Sequence, residues 1–224
     1  MWCQDVDPRP EPPVVVLRSP IAEGRRRGRG SFLRMIDMRL RPRVQGIIEP
    51  IGRFLAKIGV TPTFMTLFGL VVAIAGAVLI GIGEIIAGAL VALAGSALDG
   101  LDGSVARASG NVTARGGFLD ATVDRLGEIG VLTGLAVSQR GEVRILLLSL
   151  LALAGSLLVP YMRSKAESVG LDGRGGLMGR AERVLLVTVG MLTGWIEPML
   201  WVFVAAVWFT AGQRFWTTYD QIEN

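Results

Sequence analysis

Four aspartates in the middle of the chain have the spacing of a metal site. Asp99 lies three residues before Asp102, and Asp120 lies four residues before Asp124. On a helix, two residues at either spacing are at most about 60° apart around the axis, so each pair presents two carboxylates on one face. The short segment 107–115 would join two antiparallel helices and bring the four carboxylates together. Carboxylate oxygens are the ligands that hard divalent cations take in proteins.

Such a group of carboxylates needs positive charge nearby, because four clustered acids cannot all remain ionised without it. Arg107 and Arg125 could supply part of this charge. One or two divalent cations fit better, since they leave coordination sites for phosphate oxygens. Two metal ions about 3.5–4 Å apart would favour phosphoryl transfer, because they clamp the attacking and the leaving oxygen. The alternative is a set of salt bridges between these aspartates and nearby arginines.

The rare residues of the chain exclude several other kinds of chemistry. The sequence has no histidine and one cysteine, Cys3. Histidine-dependent triads, histidine-ligated zinc and an internal disulfide are therefore impossible. Catalysis must use carboxylates, lysine, arginine, hydroxyl groups or a hard metal ion.

The elements that position the aspartates are predicted to be membrane helices. The chain has 224 residues, of which 51% are hydrophobic, and its mean hydropathy is +0.51. Its apolar residues form long uncharged runs, and the run over 64–83 is long enough to cross a hydrocarbon core of about 30 Å. We predict an all-α integral membrane protein with six transmembrane helices. The predicted spans are 62–82, 84–106, 113–138, 142–166, 181–196 and 198–218.

The distribution of basic residues predicts the orientation in the membrane. Ten of the 23 lysines and arginines lie between Arg25 and Lys57, just before the first span. By the positive-inside rule, both termini and the aspartates should face the cytoplasm of a multi-pass protein in the cell (plasma) membrane. The net charge of +4 is then a signal of topology, and we expect no nucleic-acid partner.

The chain divides into three predicted parts. Residues 1–30 are rich in proline and arginine and are predicted to be a disordered tail. Residues 31–60 alternate apolar residues with arginines, which predicts an amphipathic juxtamembrane helix on the cytoplasmic surface of the bilayer. Residues 61–224 form the membrane domain. Thr61 and Pro62 are predicted to be the cap and the first residue of its first helix.

The string Asp-Gly-x2-Ala-Arg-x8-Gly-x3-Asp-x3-Asp, which runs from Asp102 to Asp124, resembles the signature of the CDP-alcohol phosphotransferase (phosphatidyltransferase) family at every position. The resemblance extends over 47–218. It implies a homodimer that uses a CDP-lipid, either CDP-diacylglycerol or CDP-archaeol, and in which Asp124 is the base on the acceptor hydroxyl. It also implies two Mg²⁺ ions, for which Mn²⁺ could substitute, held by Asp99, Asp102, Asp120 and Asp124. By the same resemblance, the residues of the donor site are Thr63, Phe64, Met65, Thr66, Gly103, Ala106, Arg107, Thr113 and Gly116.

Four cations after the fourth span bear on the choice of acceptor. They are Arg163, Lys165, Arg180 and Arg183. A phosphorylated acceptor would need such charges, whereas a free alcohol would not. In this respect the chain resembles the phosphatidylinositol phosphate synthases, which use inositol phosphate.

Other interpretations of the same residues stay open. The four cations could equally follow the positive-inside rule, or bind glycerol phosphate in a phosphatidylglycerophosphate synthase. A membrane prenyltransferase would also bind magnesium through aspartates, but its motifs lack the Gly-x2-Ala-Arg element. A divalent-cation transporter would need a polar path, and away from the predicted cytoplasmic side the spans are nearly pure Ala, Val, Leu, Ile and Gly.

Overall fold

Every regular element of the described chain is an α-helix. The computed structural model describes residue 46, residues 48–173 and residues 175–222. Within these residues there is no strand, which confirms the predicted all-α class. The helices are α1 (48–57), α2 (Pro62–Gly81), α3 (Ile85–Asp99), α4 (Asp102–Ser109), α5 (Ala114–Ser138), α6 (Val143–Ser168), α7 (Arg180–Thr193) and α8 (Ile196–Ile222).

The predicted N-terminal parts fall largely outside the described residues. This holds for the whole tail predicted over 1–30 and for residues 31–45 of the predicted amphipathic helix. The described portion is α1, and it packs on α4. At this contact the Ser104 side chain of α4 occupies the space that a Cβ at Gly52 of α1 would need. Phe54 and Ile58 are about 60% exposed, so α1 and the turn after it present apolar side chains outward.

Threonine caps fix where two of the helices begin. Thr61 Oγ1 accepts a hydrogen bond from Phe64 N at 3.3 Å, and Pro62 is the first residue of α2, which confirms the predicted helix start. Thr113 Oγ1 accepts a hydrogen bond from Gly116 N at 3.0 Å and caps α5 in the same way. Each hydroxyl satisfies one of the N–H groups that a helix start leaves unpaired. The start of α5 in turn sets the position of its two aspartates.

The second predicted span, 84–106, corresponds to Ile85–Ser109, which is long and apolar enough to cross a membrane, but a tight turn divides it into α3 and α4. α3 ends at Asp99, and α4 begins at Asp102. Between them, Leu101 N donates to Leu98 O at 3.1 Å, a contact to the third preceding residue that tightens the turn. Asp99 therefore ends one helix and Asp102 starts the next, whereas the sequence placed them on one helical face.

Glycines allow α2 and α3 to pack backbone to backbone. A Cβ at Gly76 would overlap Ala92 N, and one at Gly69 would lie 2.8 Å from Asp99 N. Gly76 of α2 meets Ala92 of α3, whereas the earlier residue Gly69 meets the later residue Asp99. The two helices are therefore antiparallel. This contact places Asp99 beside the first half of α2.

The α5 helix packs on α2 in the same direction. A Cβ at Gly127 would lie 3.8 Å from the Ala73 side chain, and one at Gly134 would overlap Ala77 O. α6 and α8 form a second pair and are joined by a hydrogen bond from Trp208 Nε1 to Leu151 O at 3.1 Å. α7 contacts both α3 and α8 and so links the two groups of helices.

Among the described residues, four helices are long and apolar enough to cross a membrane, which indicates an integral membrane protein. They are Pro62–Gly81, Ile85–Ser109 (α3 and α4 taken together), Val143–Ser168 and Ile196–Ile222.

The other two predicted spans correspond to helices of different character. α5 has 25 residues, but Asp124, Arg125 and Glu128 all lie near its middle. α7 has 14 residues and is about 21 Å long, less than a hydrocarbon core of about 30 Å. Length and composition therefore support four spans in the described chain, where the sequence predicted six.

Candidate functional site

Three of the four predicted aspartates meet where α3 and α5 approach each other. Asp99 is the last residue of α3, and Asp120 and Asp124 lie on successive turns of α5. One carboxylate oxygen from each of the three lies within 4.8 Å of the others. Asp99 is 2% exposed, so this acidic cluster has a buried side.

Arg180 supplies positive charge to the acidic cluster. Its Nη2 lies 2.8 Å from Asp99 Oδ2 and 2.5 Å from Asp124 Oδ1. Arg180 is the first residue of α7, and the contact between α7 and α3 brings it to the end of α3. The sequence assigned this arginine to the acceptor phosphate, whereas in the structure it bridges two of the aspartates.

Asp102 lies close enough to Asp99 and Asp120 for their charges to repel, but it is not one of the three carboxylates that meet within 4.8 Å. Its Oδ2 accepts a hydrogen bond of 2.6 Å from Thr66 Oγ1 on α2. Thr66 is 2% exposed, so this bond is shielded from solvent on the threonine side.

The acidic cluster fits a hard divalent cation. Asp99 Oδ1 is buried and accepts no hydrogen bond from any residue in the described chain. Asp124 Oδ1 is buried as well, and its ion pair with Arg180 lacks hydrogen-bond geometry. Buried carboxylate oxygens without donors are costly, and a divalent cation with oxygen ligands would satisfy several of them at once. Asp99, Asp120 and Asp124 are therefore suited to hold such an ion.

The residues predicted for the donor site lie on α2, on α4 and at the start of α5. The Arg107 guanidinium lies beside Gly103, where an added Cβ would be 3.5 Å from Nη1. Phe64 stacks on Phe68 with ring centroids 5.8 Å apart. The exposed members of the set are Thr63, Phe64, Arg107 and Thr113, the half-buried ones are Gly103, Ala106 and Gly116, and the buried ones are Met65 and Thr66.

The four predicted acceptor cations have different partners. Arg163 is exposed, and its Nε bonds Glu167 on the next turn at 2.9 Å. Lys165 is also exposed. Arg183 is buried, and its Nε donates to Glu128 Oε1 at 2.7 Å. Only Arg180 and Arg183, both on α7, lie beside the acidic cluster in the described structure.

Glu128 belongs to the site, although the sequence did not point to it. It lies one turn after Asp124 on α5 and binds Arg183 as well as Arg125. Its spacing of four residues from Asp124 continues the acidic stripe of α5, which is the signal that could have indicated it. A cavity between α2, α3, α5 and α7 connects these groups, with charged lining residues Asp99, Asp124, Glu128, Arg180 and Arg183.

Helices that can cross a membrane and a buried carboxylate cluster suited to a divalent cation define an integral membrane protein with a metal-dependent site. Residues 59–216 match the CDP-alcohol phosphatidyltransferase family. The chain belongs to this family, as its aspartate signature predicted. It is therefore a transferase of phospholipid biosynthesis, and its reaction is CDP-alcohol phosphatidyl transfer.

Two relatives are similar to this chain over most of their length and most of its own. Archaetidylinositol phosphate synthase of Pyrococcus horikoshii is 34% identical over 186 residues, which cover 83% of this chain and 97% of that protein. Phosphatidylinositol phosphate synthase of Mycobacterium tuberculosis is 33% identical over 194 residues, which cover 80% and 89%.

Solved structures of the mycobacterial enzyme share the fold of this chain. Its crystal structure with CDP-DAG bound has a TM-score of 0.72 at 32% identity, and the match covers 77% of this chain and 94% of that chain. Its complex with manganese and citrate also has a TM-score of 0.72, at 31% identity, with 77% and 88% covered. The manganese in that relative agrees with a divalent metal site in this family.

Thr66 offers a direct test of the contact that holds Asp102. In Thr66→Val the methyl replaces the hydroxyl at nearly equal size, so Asp102 loses a hydrogen bond to a charged group, worth about 1.5–3 kcal/mol. We expect the rate of CMP release to fall roughly tenfold to a hundredfold. Thr66→Ser keeps the hydroxyl and should stay within about threefold of the wild type. Equal rates for Thr66→Val and the wild type would show that this contact does not support turnover.

Proposed function

We propose that the protein transfers the phosphatidyl group of CDP-diacylglycerol, or the corresponding group of CDP-archaeol, to a hydroxyl of inositol phosphate and releases CMP. The observation that carries the choice of acceptor is the pair of arginines, Arg180 and Arg183, that line one cavity with Asp124. A phosphate held by two guanidinium groups gains charge-assisted hydrogen bonds, which an uncharged alcohol could not form. The names of the archaeal and mycobacterial relatives support the same acceptor.

The reaction requires a base for the acceptor hydroxyl, and we assign this role to Asp124. Its carboxylate takes the proton as the hydroxyl oxygen forms a bond to the lipid-linked phosphorus of the donor. The bond between that phosphorus and the bridging oxygen breaks in line, and CMP leaves with the electron pair. Arg180, which lies beside Asp124 in the structure, would hold the acceptor near this base.

We assign two Mg²⁺ ions, replaceable by Mn²⁺, to Asp99, Asp102, Asp120 and Asp124. When bound, they would supply Lewis-acid stabilisation of the charge on the donor diphosphate. The pairing of Asp102 with Thr66 keeps this carboxylate on the α4 side of the site. Arg107 is exposed on the same short helix, and its guanidinium lies beside Gly103. It would bind the donor diphosphate there.

We propose that the protein is a homodimer in the plasma membrane and that each chain crosses the membrane six times. Both termini and the site would face the cytoplasm. The ten basic residues before the first span support this orientation. α5 and α7 would be the two additional spans. α5 would accommodate its charges by directing them at the site, and α7 would begin at the site, below the membrane surface.

The acceptor assignment can be tested by measuring CMP release from CDP-diacylglycerol with four separate acceptors. These are inositol phosphate, glycerol phosphate, free inositol and serine. Because the phosphate would contribute two or more charge-assisted hydrogen bonds, we expect kcat/KM for free inositol to be about two orders of magnitude below that for inositol phosphate.

A direct competition between the two phosphorylated acceptors completes this test. If glycerol phosphate wins, the protein is a phosphatidylglycerophosphate synthase, and the acceptor proposal is wrong. If free inositol reacts as well as its phosphate, the two arginines do not recognise phosphate. If CMP release is absent with all four acceptors while the protein is folded, the acceptor is a different alcohol, and the acceptor proposal is wrong.

A further inference from the structure

Glu128 connects two arginines that flank the acidic cluster. Its Oε1 accepts a hydrogen bond from Arg183 Nε at 2.7 Å, and its Oε2 accepts one from Arg183 Nη2 at 3.3 Å. The same Oε2 accepts a hydrogen bond from Arg125 Nη1 at 3.2 Å. The Glu128 carboxylate therefore joins α5 to α7 through a two-pronged contact with Arg183 and binds Arg125 of its own helix through a single contact.

The contact with Arg183 fixes the orientation of a buried charge. The Arg183 side chain is 5% exposed, and the Glu128 side chain is 17% exposed. A buried guanidinium requires a counter-charge, and a side-on pair with a carboxylate also sets the plane of the group. Because Glu128 uses Nε and Nη2, the Nη1 group of Arg183 remains available for another ligand.

The contact with Arg125 extends the arrangement to the proposed base. Arg125 Nη2 lies 3.6 Å from Asp124 Oδ2, while its Nη1 bonds Glu128. Arg125 thus lies between Glu128 and Asp124 and contacts both carboxylates. Glu128, Arg183 and Asp124 all line the same cavity.

We propose that Glu128 is a positioning residue for the acceptor: it holds Arg183 so that Nη1 faces the phosphate of the acceptor. The inference rests on the proposed function, since it assumes a phosphorylated acceptor. In this role Glu128 would touch neither the reacting atoms nor the donor. Its effect should therefore appear in the acceptor KM and not in the donor KM.

Steady-state kinetics of Glu128→Gln, with each substrate varied in turn, test this role. The substitution keeps the size of the side chain and removes the charge that orients Arg183. We expect the KM for inositol phosphate to rise roughly tenfold, while kcat and the KM for CDP-diacylglycerol stay within about threefold of the wild type. Glu128→Asp keeps the charge at a shorter reach, and the rise in acceptor KM should be smaller.

A double-mutant cycle separates positioning from general damage. If Glu128 acts through Arg183, the pair Glu128→Gln with Arg183→Gln should be no worse than Arg183→Gln alone. Independent, multiplying effects of the two substitutions would overturn the proposal, and so would equal changes in the donor and acceptor KM. If Glu128→Gln does not fold, as judged by thermal unfolding in detergent, the acceptor KM of Glu128→Asp tests the proposal instead. An unchanged acceptor KM in that variant overturns the proposal.

The wild-type measurement distinguishes this inference from the proposed function. If the wild type uses no phosphorylated acceptor, the proposed function fails, and the role of Glu128 fails with it. If the wild type uses a phosphorylated acceptor and both Glu128 variants bind it normally, only the role of Glu128 is wrong.

Discussion

Asp124→Asn should lower the rate of CMP release by about three orders of magnitude and leave the helical fold intact. Loss of a general base alone typically costs 10²–10⁴ in rate, and this carboxylate is also one of the three that converge on the metal site. Asn retains an oxygen that can face Arg180, which lies 2.5 Å from Asp124 Oδ1 in the structure. The substitution should therefore lower the reaction rate without unfolding the protein. Initial rates at saturating substrate, together with thermal unfolding in detergent, measure both effects.

Glu142→Gln is the matched control for this experiment. It makes the same change from carboxylate to amide at an exposed residue that precedes α6 and makes no side-chain cap there. Its rate should remain within about twofold of the wild type, since exposed substitutions of this kind have small effects. A folded Asp124→Asn protein that keeps more than about a tenth of the wild-type rate would show that another group removes the proton.

The aspartates could be located from the sequence because their spacing reports local helix geometry. Asp120 and Asp124 lie one turn apart in any α-helix, and the structure brings both to Asp99. The start of α2 at Pro62 followed from its threonine cap for the same reason, since capping depends on neighbouring residues alone.

The contacts that needed tertiary structure were not visible in the sequence. Arg183 reaches Glu128 across 55 positions, and no local pattern encodes that pairing. The interruption after Asp99 also has no proline to signal it, and Gly100 is equally compatible with a continuing membrane helix. The bounds of α7, Arg180–Thr193, lie within three residues of the predicted 181–196, but the contacts of Arg180 with Asp99 and Asp124 join distant parts of the sequence and were not predicted.

Gly76 should be one of the positions of the bundle outside the site that are most sensitive to substitution. A Cβ at Gly76 would overlap Ala92 N and lie 2.7 Å from Gly88 O and 2.8 Å from Ala92 Cα. All three are backbone atoms of α3, so no side-chain rotation can relieve the overlap. Relief requires α2 and α3 to separate, and the same interface places Asp99 against Gly69.

We therefore expect Gly76→Leu to yield no folded, monodisperse protein in detergent. Gly76→Ala should fold but be destabilised by about 1–3 kcal/mol, the usual cost of overpacking, which lowers Tm by roughly 3–10 °C for a chain of this size. Gly212→Ala is the matched control, because Gly212 lies within α8, is exposed and has no heavy atom within 4 Å of an added Cβ. Alanine there should leave Tm unchanged or raise it slightly, since it favours the helix over glycine. Size-exclusion profiles and thermal unfolding compare the three variants, and a folded Gly76→Leu protein with the Tm of the wild type would show that α2 and α3 do not pack this closely.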